Sequence, residues 1–113
     1  MEEVSFKYGG KKMELHVRSV SLLERVWGLM FKLKENAESL LFEFEKPTET
    51  SIHSLFVFFP FVAVWLDKKN KVIDVKRVKP FTLSVSPKRP FSKLIEIPIN
   101  KRYSNITKII SRR

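Results

Sequence analysis

The sequence has no cysteine and no glutamine, and only two histidines and three glycines among its 113 residues. Without cysteine there can be no disulfide, no thiolate metal site and no cysteine nucleophile. His16 and His53 lie far apart in the chain, so any metal centre would have to be built mainly from carboxylates, and Glu43, Glu45 and Glu49 read instead as a solvated edge. The scarcity of glycine argues against nucleotide chemistry. The adjacent pair Gly9-Gly10 is followed by neither a Lys-Ser step nor a helix pattern, as a phosphate cradle requires. A membrane span is also missing, because about 18 to 20 consecutive apolar residues are needed and the longest run is broken by His53, Ser54 and Pro60. Met1-Glu2-Glu3 carries neither the basic flank nor the apolar segment of a secretory signal. The expected location is therefore cytoplasmic.

What remains is the composition of a folded globule, with 43% hydrophobic and 30% charged residues. A chain of this length predicts a single domain over residues 1–113 that buries roughly two thirds of its unfolded surface. The lack of Gln and Cys alongside abundant Lys, Glu and Ile is the balance of heat-adapted proteins, which predicts a thermophilic source.

The chain is organised around Ile52 to Leu66, which is almost wholly apolar. Pro60 in the interior of a helix would cost about 3 kcal/mol, and Val, Ile, Phe and Trp suit a pleated, packed surface. The stretch reads as two buried strands meeting at Phe59-Pro60-Phe61, with a membrane-surface element or a buried helix as the alternatives. Before it, Val4, Phe6 and Tyr8 alternate with polar residues, as do Met13, Leu15 and Val17, so the Gly pair between them predicts a hairpin. His16 falls on the opposite face from Leu15 and Val17 and should face solvent. Ser21-Leu22-Leu23-Glu24 has capping-box spacing, and Leu22, Val26, Leu29, Met30 and Leu33 share one helical face. These residues predict a helix over about 21–33. Gly28 in its interior suggests a close backbone approach, and Lys34 to Glu38 reads as a polar connection.

Leu40 to Phe44 reads as a short strand and Lys46 to Thr50 as a loop. Asp67-Lys68-Lys69-Asn70-Lys71 reads as a polar turn leading to a strand of Val72, Ile73, Val75 and Val78. Lys79-Pro80-Phe81 ends that strand. Pro87-Lys88-Arg89-Pro90 is a stiff loop rather than a Pro-x-x-Pro ligand. Leu94 to Pro98 is a further strand, and Ile106 to Ser111 a last short one. The fold class is thus mainly β (α+β), a compact β-sandwich or barrel-like domain with one helix in the N-terminal half.

The order of motifs resembles the archaeal branch of the domain-of-unknown-function-192 family. Glu24-Arg25-Val26-Trp27-Gly28-Leu29-Met30, Leu40-Leu41-Phe42-Glu43-Phe44, Ile52-His53-Ser54-Leu55-Phe56 and Phe59-Pro60 running to Leu66-Asp67 carry the resemblance, with Pro87-Lys88 and Leu94 to Pro98 behind them. The resemblance implies a compact, mainly β domain with one helix and brings no established activity. Val62 stands where relatives tend to place an Asp, and the C-terminal end lacks the Gly-rich turn and Gly-Asp pair that relatives often carry.

Function is less legible. A Ser-His-Asp arrangement is poorly supported: Ser51 and His53 could share a strand face, but only Glu24 and Glu96, within the family-like motifs, could supply the acid. Glu24 and Arg25 also serve simply as helix cap and structural ion pair. These readings leave a non-enzymatic ligand-binding or accessory module, with Arg25, His53 and Lys88 around a pocket and no cofactor. The alternative starts from charge, which is +10 overall. Residues 1–66 carry 8 Lys or Arg against 9 Asp or Glu, whereas residues 67–113 carry 14 against 3. A basic half fits a polyanion or nucleic acid, with Lys68, Lys69, Lys71, Lys76, Arg77, Lys79, Lys88, Arg89, Lys93, Lys101 and Arg102 as phosphate contacts. A Lys-rich solvated surface is the commoner cause of such a balance. An aromatic such as Phe81 or Phe91 exposed among those residues would favour nucleic acid, because bases stack on such rings.

Overall fold

The computed structural model describes residues 2–19, 39–49, 60–81 and 84–110. The helix expected over 21–33, the polar connection after it and the first half of the organising stretch, His53 included, lie outside the described residues. Those described form a six-stranded sheet and a short C-terminal helix. The strands are β1 (Glu2–Tyr8), β2 (Lys11–Ser19), β3 (Leu40–Thr48), β4 (Phe61–Leu66), β5 (Val72–Val78) and β6 (Phe91–Pro98), arranged in the order β1-β2-β3-β6-β4-β5. Neighbours are antiparallel except β2 and β3, which pair in parallel over Arg18–Leu40 and Ser19–Leu41.

The expected hairpin is β1–β2. Tyr8 faces Lys11 across Gly9 and Gly10, whose φ values of 59° and 80° are the left-handed pair that a tight two-residue hairpin turn demands. Alternation then puts Val4, Phe6, Met13, Leu15 and Val17 on the buried face, while His16 is exposed opposite Glu3.

All six residues of β4 are buried, because the strand lies inside the sheet and both its faces are covered. Val62, Val64 and Leu66 join Ile95, Ile97, Leu41 and the hairpin's apolar face in one cluster. Phe61, Ala63 and Trp65 join Phe42, Phe91, Leu94, Ile73 and Val78 in another. The first cluster contains residues from both ends of the strand order, so it fills the inside of a curl. A parallel bridge between Lys7 and Lys71 brings β1 and the start of β5 together and draws the sheet toward a barrel. Among the described residues, no helix is long and apolar enough to cross a membrane.

Three expectations need correction. Ile106 to Ile110 is not a strand: Lys101–Tyr103 forms a 3-10 turn and Ser104–Ile110 a helix, α1. The β-branched residues there have strand propensity, but Tyr103, Thr107 and Ile110 recur at helical spacing and are buried, with Tyr103 and Ile110 plugging the inner cluster. Asn100 starts the turn, its side chain accepting from the Tyr103 amide at 3.3 Å. The β3 strand also runs on through Lys46 and Pro47, which had read as loop. A register shift between Glu43 and Thr48 frees the ladder locally, and a proline is tolerated at such an irregularity. Finally, β6 begins at Phe91 rather than Leu94, because Phe91 pairs with Thr48 and is buried.

Ile95 sits between Leu41 and Val64 in register and has no exposed surface. Ile95→Ala should destabilise the protein by about 2 to 5 kcal/mol. Ile109→Ala, at a residue 37% exposed, should stay within about 0.5 kcal/mol. Chemical denaturation of the two variants checks both values.

Candidate functional site

Two places gather polar side chains on this frame. The first is a cleft of about 340 Å³ lined by Glu49, Ser86, Pro87, Lys88 and Arg89. Its wall is the segment leading into β6, in which Pro87 and Pro90 fix two φ angles. Asp74 on β5 holds that wall, its Oδ2 accepting from the Lys88 amide at 3.0 Å. Lys76 also holds it by donating its ammonium to the Ser86 carbonyl. The backbone of the loop is thereby tied to the sheet, and no hydrogen bond or ion pair among the described residues engages the Lys88 or Arg89 side chains. The Lys76 ammonium also lies 6.0 Å from the centre of the Trp65 ring, a favourable placement of a cation over an indole face. Among the described residues, the buried Trp65 indole N–H has no hydrogen-bond partner.

Of the three residues expected around a pocket, Lys88 lines the cleft, while Arg25 and His53 lie outside the described residues. Glu49 and Ser86 were missed. Glu49 had been absorbed into a loop and a solvated acidic edge, and nothing in sequence links it to a segment nearly forty residues away.

The second place is the turn between β4 and β5. Asp67 Oδ1 accepts from the amides of Lys69 and Lys71 at 2.8 and 2.9 Å, and Asn70 takes the left-handed conformation at φ 65°. The Lys71 amide, with the Lys69 amide and the charges of both lysines, holds the Asp67 carboxyl below its usual range against a smaller opposing effect of desolvation. Lys68, Lys69 and Lys71 are exposed around this turn. Lys93 on β6 reaches it, donating to Asn70 Oδ1 at 2.6 Å.

The other expected cations lie elsewhere. Lys93 is level with Leu66, and Pro98 is level with Phe61, so Lys101 and Arg102 follow the opposite end of β4, about 17 Å away at a strand's rise per residue. Lys79 and the 57%-exposed Phe81 follow Val78, which is also level with Phe61. Lys76 and Arg77 are exposed on β5, and Lys88 and Arg89 belong to the cleft. The eleven basic residues thus fall into several groups. Phe81 is an exposed aromatic beside Lys79, whereas Phe91 is buried.

Chemistry does not define a class for this chain, but the fold does: a mainly β domain with a strongly curled mixed sheet. Within that class the chain belongs to the DUF192 family, whose profile, described as an uncharacterized ACR, matches residues 4–105. A UPF0127 protein of Pyrococcus furiosus is 29% identical over 90 residues, covering 79% of this chain and 77% of the relative. A UPF0127 protein of Pyrococcus horikoshii is 32% identical over 78 residues, covering 69% and 67%. The crystal structure of a protein of unknown function from Novosphingobium aromaticivorans shares the fold, with a TM-score of 0.72 at 15% identity over 91% of this chain and 76% of that one.

The Asp67 cap carries a pH signature. Its depressed pKa contributes stability that is present above the unfolded carboxyl's titration and is lost as pH falls through the folded value. Asp67→Ala should cost about 1 to 2 kcal/mol at neutral pH through the two lost hydrogen bonds. The gap to the parent should narrow as pH drops below the ordinary aspartate range, which urea titrations at neutral and acid pH would measure.

Proposed function

We propose that this protein is a non-enzymatic binding module whose cleft beside β6 takes a small anionic or zwitterionic ligand. The observation that carries this reading is the cleft's construction. A loop stiffened by two prolines and pinned by Asp74 and Lys76 lines the cleft with Ser86, Lys88 and Arg89, and Glu49 lines it as well. Two cations suit a carboxylate or phosphate, the guanidinium as a planar fork and the ammonium as a point charge. Glu49 adds a place for an amino or hydroxyl group, so that one small molecule with both features meets both walls. The fixed backbone lowers the cost of ordering the site on binding. Arg25 and His53 belong to this reading as residues of the same pocket, and a cytoplasmic metabolite is the natural class of ligand.

The alternative reading is nucleic-acid binding through the basic C-terminal half. Exposed Phe81 beside Lys79 favours it, since a base can stack on the ring while the ammonium meets a phosphate. The division of the cations between the two ends of β4 weighs against a single footprint made of all eleven.

Thermal denaturation in the presence of inorganic phosphate, citrate and the common amino acids tests the cleft. A ligand at about 100 times its Kd should stabilise the fold by about 2.7 kcal/mol, giving a clear rise in Tm. Lys88→Gln with Arg89→Gln should abolish that rise while leaving the unliganded Tm within a degree or two. A rise that survives the double substitution would place the ligand elsewhere.

A further inference from the structure

The bridge that closes the sheet also assembles a surface whose residues come from both halves of the chain. Lys7 and Lys12 face each other across the β1–β2 hairpin, and Lys7 bridges Lys71 at the start of β5. Three lysines therefore stand in a row across three strands, at neighbouring-strand spacings of about 5 Å. Lys68 and Lys69 belong to the same turn as Lys71, and Lys93 is fastened to that turn through Asn70. Lys7, Lys12, Lys68, Lys69 and Lys71 are all exposed.

Among the described residues, three carboxylates lie close to these six cations, and each is occupied or displaced from the row. Glu14 lies 3.5 Å from the Lys12 ammonium, Asp67 is committed to the backbone amides of the turn, and Glu43 stands opposite Lys93 in register. Among the described residues, the Lys7 and Lys68 ammonium groups have no anionic partner, and Lys69 and Lys71 meet only the charge of Asp67, whose hydrogen bonds go to the amides of the turn. Like charges directly opposite on a sheet are destabilising, and this fold places two of them opposite and adds a third alongside. A polyanion relieves that repulsion.

We infer that the lysine row Lys12-Lys7-Lys71, with Lys68 and Lys69 beside it, binds the phosphate backbone of a nucleic acid. This surface is separate from the cleft and does not depend on a ligand there. It also differs from the basic C-terminal half, since it needs two lysines from the acidic half and omits Lys101 and Arg102. The side chains are all lysine, point charges suited to phosphate rather than to planar base edges, so recognition is of backbone and not of sequence. A membrane surface fits less well. Among the described residues, the large exposed apolar ones are Phe81, which follows the end of β5 away from Lys71, and Ile109 on α1, and neither belongs to the turn or the strands of the row, where it could insert among lipid chains.

The test is fluorescence anisotropy of the full chain with labelled single-stranded and duplex 20-mers across a salt series. Two variants with equal loss of charge are compared, Lys7→Gln with Lys71→Gln and, away from the row, Lys101→Gln with Lys108→Gln. Parent affinity should fall linearly with log salt, and the slope should shrink in magnitude by about 1.4 to 1.8 in the first variant, at 0.7 to 0.9 per lost phosphate contact. Binding at low salt should weaken at least about tenfold in that variant and change little in the second. If the bridge variant is poorly folded by circular dichroism, Lys68→Gln with Lys69→Gln replaces it and should show the same loss. The inference is overturned if the parent does not bind at low salt or if both variants lose affinity equally. It is also overturned if anionic vesicles or a poly-glutamate peptide bind and neither oligonucleotide does.

Discussion

The structure depends on one strand having no solvent-facing side. Residues Phe61 to Leu66 are buried without exception, and a strand of that kind has to be paired on both edges and covered on both faces. β5 and β6 supply the edges. Alternation along β4 divides the apolar residues between two clusters, so the same six residues anchor the concave core and the layer on its other side. At about 25 cal/mol for each Å² of apolar area removed from water, this double coverage makes β4 and β6 the stable centre on which hairpin, turn and helix are hung.

The curl follows from covering the inner face. The β1–β2 hairpin is apolar on one side only, and the inner cluster is completed when that side folds over Val62, Val64 and Leu66, with Tyr103 and Ile110 closing the end. Folding over in this way carries β1 to the opposite edge of the sheet, where Lys7 meets Lys71. Burying the core therefore also decides which charges become neighbours. The cleft has a different origin. It lies where the segment before β6 is fastened to β5 by Asp74 and Lys76, and its polar lining is left outside both clusters.

Much of this frame was legible from local signals. The Gly9-Gly10 hairpin, the polar turn at Asp67 to Lys71, the β5 residues and the buried β4 segment all follow from period and turn chemistry. The missed features are those that tertiary contact decides. Ile106 to Ile110 looks like a strand by propensity, and only the need to bury Tyr103 and Ile110 together makes it helical. Lys46 and Pro47 look like loop, and a local register shift keeps them in β3. At the candidate cleft, Lys88 is a residue also expected around a pocket, whereas Glu49 and Ser86 were not expected there, because no sequence signal joins the end of β3 to that loop. Lys7 and Lys12 stand symmetrically about the glycine pair, so their pairing was readable. Their meeting with Lys71 was not, since it requires the sheet to close.

Closure of the sheet is thus the claim on which both the core and the placement of charge rest. The absence of native cysteine permits a direct measurement: introduce Lys7→Cys together with Lys71→Cys, oxidise the dilute protein mildly and follow intramolecular disulfide formation by mass spectrometry and free-thiol titration. Neighbouring-strand partners lie within the Cα separations that a disulfide spans. Rapid, nearly complete cross-linking of the folded monomer is expected, and little in a control that pairs Lys7→Cys with Lys101→Cys. Free thiols persisting at residues 7 and 71 in a folded protein would contradict closure of the sheet.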